Sequence, residues 1–218
     1  MPPARREERL RRYWDKHAPS YDKQMGFFDR HLFAGSREWI CSKAHGQALE
    51  VAIGTGLNLA CYPDSVQLTG VDQSPAMLEI ARHRARQLGR TADLRHGDAQ
   101  SLEFPGASFD TVICTFSLCA IPDDQKAVQE MARVLRPGGQ LLLADHVEAS
   151  PWYARAAQAI VEVISVPATG EHFRRRPIRH IQDLGFSLEQ HDRLKLGIVE
   201  RLAARKPHHT GRPAGEDR

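Results

Sequence analysis

A glycine turn, two aspartates and one histidine have the type and spacing to act together on a small ligand. Gly54-Thr55-Gly56 interrupts the apolar run Ala48 to Ile53, Asp72 and Asp98 each follow a short strand-like segment, and Asp145-His146 closes another. Glycines straight after a strand let a backbone approach a nucleotide-like ligand, because no Cβ stands in the way. An acid at the tip of the second strand is placed to accept hydrogen bonds from ribose hydroxyls. Asp98, in Gly97-Asp98-Ala99, is placed to reach a ligand base. His146 is the first candidate for a general base, since imidazole titrates near neutrality, with Tyr21 and Asp145 behind it. Each residue alone has an ordinary explanation: GxG is common in loops, aspartates stabilise turns, and histidines hydrogen-bond within a fold.

Elements must bring these positions to one place. The first strand, its glycine turn and an expected helix start at Leu57 lead to a second strand, Val66 to Val71, whose end carries Asp72. Ser74-Pro75 is an N-cap and first-turn pair for a helix that buries Met77, Leu78 and Ala81 and leaves Arg82 to Arg90 at its exposed end. Strands are expected over 92–96, 109–116 and 140–144, with a helix over 123–135 and a sharp turn at Arg136-Pro137-Gly138-Gly139. Residues 151–181 read as mainly helical. A strand from Gly185-Phe186 and a closing strand, Leu194 to Ala204, pair antiparallel through residues 190–194. Upstream, a helix over 5–25 should be interrupted by Pro19, and a second helix over 28–43 presents Leu32, Phe33, Trp39 and Ile40. The alternation predicts an α/β fold, a Rossmann-like doubly wound seven-stranded sheet, mostly parallel with an antiparallel C-terminal edge pair and helices on both faces. Right-handed crossovers then carry Gly54, Asp72, Asp98, Ser117 and His146 to one edge, beside strands one and four. The chain divides into an N-terminal helical arm or lid (1–45), the main domain (46–205) and a flexible tail (206–218).

Composition narrows the partners. With 218 residues, 41% hydrophobic and 26% charged, the chain fits one ordinary globular domain. Arg5, Arg6, Arg9, Arg11 and Arg12 against Glu7 and Glu8 account for the net charge of +3, so the remainder is balanced and nucleic acid is not an expected partner. No apolar run reaches the roughly 20 residues of a membrane span, and the charged N-terminus lacks a secretory h-region. Cytoplasmic residence follows, with Cys41, Cys61, Cys114 and Cys119 as reduced, packed thiols. No metal site is expected; His208-His209 alone does not make one. The arm can be read as a packed helix with a solvated basic face, as a lid over the ligand cleft, or as a membrane-surface helix. Absence of GxxxxGK[ST] excludes a P-loop NTPase. A nicotinamide oxidoreductase is disfavoured by Leu59 at the third glycine place and by the lack of a lysine four residues after Tyr153. A non-catalytic binding module remains the alternative outside enzymes.

Five segments taken together go further: Leu49 to Gly56, Gly70 to Ser74, Gly97 to Ala99, Phe109 to Val112 and Val134 to Gly139. In this order, over about residues 47–147, they resemble the class I S-adenosylmethionine-dependent methyltransferases. Trp14 to Asp22 resembles the arm of the small-molecule branch. Cys114 to Cys119 and Asp145-His146-Val147 look most like bacterial phosphatidylethanolamine N-methyltransferases and animal thiol S-methyltransferases. One departure is Ala52, where the family usually has its first loop glycine. The resemblance implies S-adenosyl-L-methionine as cofactor, leaving as S-adenosylhomocysteine. Gly54 and Gly56 would approach its methionine and ribose portions, Asp72 would take the ribose hydroxyls, and Gln73, Asp98 and Ala99 would border the adenine. Ser117 would lie near the sulfonium and Tyr21 would close over it, with Glu50, Ala52, Asn58 and Gly97 as further cofactor contacts. His146 and Tyr21 would be the catalytic residues. The acceptor would be a small molecule, possible choices being a thiol, a phospholipid amine, or a quinone or natural product methylated on carbon or oxygen. Its pocket is expected within residues 150–190, around Trp152, Tyr153, His172, Phe173 and Arg174 to Arg176.

Overall fold

A computed structural model describes residues 3–33 and 35–208. Helices α1 (Pro3–His31) and α2 (Ser36–Cys41) precede β1 (Gln47–Val51), β2 (Gln67–Asp72), α3 (Pro75–Gln87), β3 (Ala92–His96), β4 (Phe109–Thr115), α4 (Asp124–Val134) and β5 (Leu135–His146). Then come α5 (Trp152–Thr169), α6 (Pro177–Asp183), β6 (Ser187–Leu194) and β7 (Val199–Arg205). The seven strands form one sheet in the order β3-β2-β1-β4-β5-β7-β6. β1 to β5 run parallel, and β7 pairs antiparallel with both β5 and β6. This is the mixed sheet that the sequence predicts, and the order reverses between β1 and β4 as expected.

Both faces of the central strands are buried, which is why they read as apolar runs rather than alternating ones. Leu141 and Leu143 of β5, with Val112 and Cys114 of β4, pack in one core cluster with Met131 and Val134 of α4 and Ile178 and Ile181 of α6. Leu142 and Ala144, with Ile113, belong to the opposite cluster, with Phe33, Ile40 of α2 and Leu78 of α3.

Several boundaries differ from the sequence expectation. α1 runs through Pro19 and ends at His31, and Gly35, the N-cap of α2, has φ +67°. Contacts on both sides of the proline hold the helix: Leu10 and Ala18 are buried, Ser74 Oγ donates to Asp15 Oδ1 at 2.6 Å, and Thr55 Oγ1 donates to Asp22 Oδ1 at 2.6 Å. No helix follows Gly56. Residues 57–61 form successive tight turns, with Leu59 N donating to Gly56 O and Cys61 N to Asn58 O, because the short connection to β2 is pinned by the buried Asn58 side chain. β5 starts at Leu135, not Gln140, with a register irregularity opposite Phe109 and Thr111. The β6–β7 join lies at 195–198, where Lys195, Leu196 and Gly197 all have positive φ. Lys206, expected to open a loose tail, exchanges backbone hydrogen bonds with Gly138 and Gly139 of β5 and donates from Nζ to the Ala132 and Leu135 carbonyls. The rest of the expected tail, from residue 209, lies outside the described residues.

Candidate active site

The carboxyl ends of β1, β2 and β4 border a narrow trench made of two confluent hollows. One is lined by Trp14, Tyr21, Ala52, Gly54, Asp72, Gln73, Met77, Phe116 and Ser117 among others. The other takes in Ala52, Asp72, Gln73, Gly97, Asp98, Ala99 and Pro122. Asp72 is the buried acid at their junction. Its Oδ2 accepts from Gly54 N and its Oδ1 from Ser74 N, both at 2.8 Å. Burial pushes its carboxyl above the ordinary value, while these two amides oppose that shift. A carboxylate has about four acceptor positions, so two remain for ligand hydroxyls. Gly54, at φ +58°, has open space where a Cβ would project. Asp98 is held by Gln100, whose backbone N donates to Oδ1 at 2.9 Å. Ser117 Oγ donates to Thr115 O at 2.8 Å. Ala52 and Phe116 both adopt left-handed φ, +55° and +51°, a conformation that costs most side chains about 1–2 kcal/mol.

Three of the expected cofactor contacts are absent from both hollows. Glu50 and Asn58 lie buried, with Asn58 Nδ2 donating to Glu50 Oε1 (2.6 Å) and to Thr115 Oγ1 (2.7 Å), and Tyr62 OH donating to Glu50 Oε2 (2.9 Å). Arg37 Nη1 donates to Asn58 Oδ1 at 3.0 Å. This polar network fixes the turn that carries Gly54. Gly56 is packed instead: a Cβ there would come within 2.6 Å of Leu59 Cδ1 and 3.3 Å of Ala81 Cα.

Beyond the trench lies a chamber of about 440 Å³ between α1 and α5. Trp14, Tyr21 and Phe116 line both spaces. His146 stands in the chamber wall among three aromatic rings, 5.3 Å from Phe33, 5.5 Å from Phe116 and 5.6 Å from Phe173, centroid to centroid. Its Nδ1 is buried 3.3 Å from Asp145 Oδ1, and the approach is not aligned for a hydrogen bond. Asp145 is engaged by the amides of Cys119 (3.2 Å) and His146 (2.7 Å). Cys119, Asp145 and His146 are near enough to one another to suggest a cation site. Burial pushes the Cys119 thiol well up, with Asp145 adding to the shift. Burial likewise pushes the Tyr21 phenol well up.

The acceptor residues expected between 150 and 190 are only partly there. Phe173 lines the chamber, with Gln158, Val161 and Glu171. Trp152 and Tyr153 are exposed outside it. The three arginines bind the protein itself: Arg174 pairs with Glu162 (2.6 Å), and Arg176 lies 3.7 Å from Glu148. Arg175 donates to the carbonyls of Leu118, Ile121 and Pro122 and so braces the loop that walls the trench. Arg84, expected at an exposed helix end, pairs with Asp22 of α1. Glu171 and Gln158 were not singled out by sequence; the helix stop at Gly170 was the available signal for the first. A larger groove, about 690 Å³, lies around Gln47, Gln67 and Ala92 at the opposite edge of the sheet and contains none of the expected site residues.

Residues 49–143 match the family model of a methyltransferase domain. In this matched segment and in its fold the chain is similar to the class I S-adenosylmethionine-dependent methyltransferases. A phosphatidylethanolamine N-methyltransferase of Cereibacter sphaeroides is 42% identical over 46% of this chain and 51% of its own length. Thiol S-methyltransferase TMT1A of Homo sapiens is 33% identical over 61% of this chain and 56% of its own. The chain thus spans little more than half the length of these curated relatives. A solved S-adenosylmethionine-dependent methyltransferase of Thermotoga maritima shares the fold, with a TM-score of 0.67 and 21% identity over 88% of this chain and 99% of that one. S-adenosylmethionine is the cofactor of this family, and the open face of Gly54 beside the Asp72 carboxylate fits its ribose and methionine portions.

Proposed function

We propose that this methyltransferase transfers the methyl group of S-adenosylmethionine to a small, largely apolar molecule held in the α1–α5 chamber. The observation that carries this reading is the shared wall: Trp14, Tyr21 and Phe116 bound both the trench and the chamber. A cofactor in the first space would present its reactive end to the second. The sulfonium supplies an already activated methyl, so the protein's work is alignment and exclusion of water. Asp72 would take the ribose hydroxyls, Gln73, Asp98 and Ala99 would border the base, and Ser117 would lie near the sulfur. His146 would accept a proton where the acceptor must lose one. The chamber's size suits both a thiol and an amine, and relatives carry both names. The test is transfer of labelled methyl to hexanethiol, hexylamine, phosphatidylethanolamine vesicles and a hydroquinone, read by mass spectrometry. Label on any of them supports methyl transfer; no binding of S-adenosylhomocysteine by calorimetry would overturn it.

A lipid acceptor is favoured by one surface. Trp152, Ile160, Val163 and Ile164 of α5 are 71–74% exposed, far beyond the scattered apolar residues of an ordinary monomer. Arg9 Nη1 donates to Pro167 O at 2.8 Å, which sets this arginine of α1 beside the end of α5. Apolar and basic surfaces together suit an anionic bilayer. Co-sedimentation with phosphatidylglycerol vesicles, weakening as salt rises, supports this docking. Equal sedimentation with neutral vesicles, or α5-mediated dimers without vesicle binding, counts against it.

A further inference from the structure

The chamber's charge is one-sided. Among the described residues that line it, Glu171 is the only carboxylate, and none is a lysine or an arginine. Arg37 lies behind the wall, 5.2 Å from the Phe116 ring centroid, and is already paired with Asp29 at 2.8 Å. The other lining groups include Tyr13, Trp14, Tyr21, Phe28 and Phe173, whose ring faces attract cations.

The fold fixes Glu171 there. α5 ends at Gly170, whose φ of +79° turns the chain into the chamber. A Cβ at Gly170 would meet Leu10 Cδ2 at 2.7 Å, so α1 and α5 touch at this point. Ser165 Oγ donates to Glu171 O at 3.0 Å, the Thr169 hydroxyl lies 3.0 Å from Glu171 Oε2, and His172 N donates to Cys119 O at 2.8 Å. The charge reaches across the space. The phenols of Tyr13 and Tyr21 are held above their ordinary values by burial first, with Glu171 adding to both shifts. Tyr21 also belongs to the trench, so the aromatic wall beside Glu171 reaches to where the two spaces meet.

Building on the methyl-transfer reading, we propose that Glu171 and the Tyr13–Trp14–Tyr21 wall form a cation subsite, and that the acceptor is an amine on an apolar body, recruited as its ammonium ion. The ammonium first gives a proton to the imidazole of His146, which lines the same chamber. The nitrogen lone pair then forms the N–C bond as the C–S bond breaks, and that bond's electron pair stays on sulfur. One positive charge therefore passes from sulfur to nitrogen, and Glu171 stabilises it there. A thiolate would instead bring a second negative charge to a wall whose only basic side chains are the imidazoles of His17 and His146.

The test uses the full chain saturated with S-adenosylhomocysteine and titrated in a calorimeter with hexyltrimethylammonium, a cation that accepts no methyl, and with hexanol as the neutral control. Glu171→Gln should weaken the cation by about tenfold or more, the scale of one charge-assisted contact. It should leave hexanol and S-adenosylhomocysteine unchanged. Glu171→Asp, which keeps the charge, should recover much of the loss. No cation binding by the wild type, equal cation affinity in Glu171→Gln, or faster methylation of hexanethiol than of hexylamine would overturn the subsite. Failure of the wild type to bind S-adenosylhomocysteine would instead overturn the methyl-transfer reading, and the cation titration would still decide the subsite.

Discussion

Asp72 and Glu50 are two buried carboxylates at the ends of neighbouring strands, and their surroundings divide their tasks. Asp72 spends two acceptor positions on Gly54 and Ser74 amides and faces the trench. Replacing it with alanine should weaken S-adenosylhomocysteine by about tenfold or more, since hydrogen bonds to a charged group are lost. Calorimetry returning wild-type affinity would remove Asp72 from the ribose site. Glu50 faces inward, and burial lifts its carboxyl from 4.5 to about 7 against the pull of Tyr62 and Asn58. Below pH 4.5 it is protonated folded or unfolded and costs nothing. Between 4.5 and about 7 the unfolded chain gives up its proton first, so rising pH favours unfolding, and the full cost is reached above about 7. The difference in Tm between wild type and Glu50→Gln should therefore change across this window and be flat on either side; a flat difference throughout would sink the assignment. The sequence placed Asp72 at a strand tip correctly, because strand polarity alone determines that. It could not separate Glu50 from the site, because inward and outward directions on a doubly buried strand look alike in an apolar run.

α1 departs furthest from what its sequence alone predicts. A proline in a helix interior removes a backbone hydrogen bond and costs about 3 kcal/mol, which is why an interruption at Pro19 was the natural expectation. Tertiary contacts override it, and they lie on both sides: Asp15 with Ser74, and Asp22 with Thr55 and Arg84. The half of α1 beyond Pro19 should depend on the second set. Asp22→Asn is expected to speed backbone hydrogen exchange over residues 19–31 while leaving β4 and β5 at wild-type protection, read by mass spectrometry. Unchanged exchange in that half would mean that chamber packing, not Asp22, holds it. The missing helix after Gly56 has a similar cause. Local pattern suggested one, but the Asn58 side chain serves the Glu50 and Thr115 network, and such partners, distant in sequence, are invisible to local periodicity.

At the level of the whole molecule, the sheet was readable because each parallel strand carries its own buried run and each crossover its own helix. The departures lie at strand ends and joins: β5 starts at Leu135 rather than Gln140, and left-handed residues such as Lys195 and Leu196 give no compositional sign of the β6–β7 join. The acceptor chamber was not readable as a unit, since it is assembled from α1, α5 and the tips of β4 and β5, which are far apart in the chain. That assembly has a thermodynamic consequence. Trp14, Tyr21 and Phe116 belong to both spaces, so whatever settles in one finishes a wall of the other. Linkage then requires reciprocity: the factor by which S-adenosylhomocysteine changes the affinity for hexanol must equal the factor by which hexanol changes the affinity for S-adenosylhomocysteine. Paired titrations should return one common factor greater than one. A factor of one would mean that the shared rings stand rigid, and that the two halves of the reaction meet without either preparing the ground for the other.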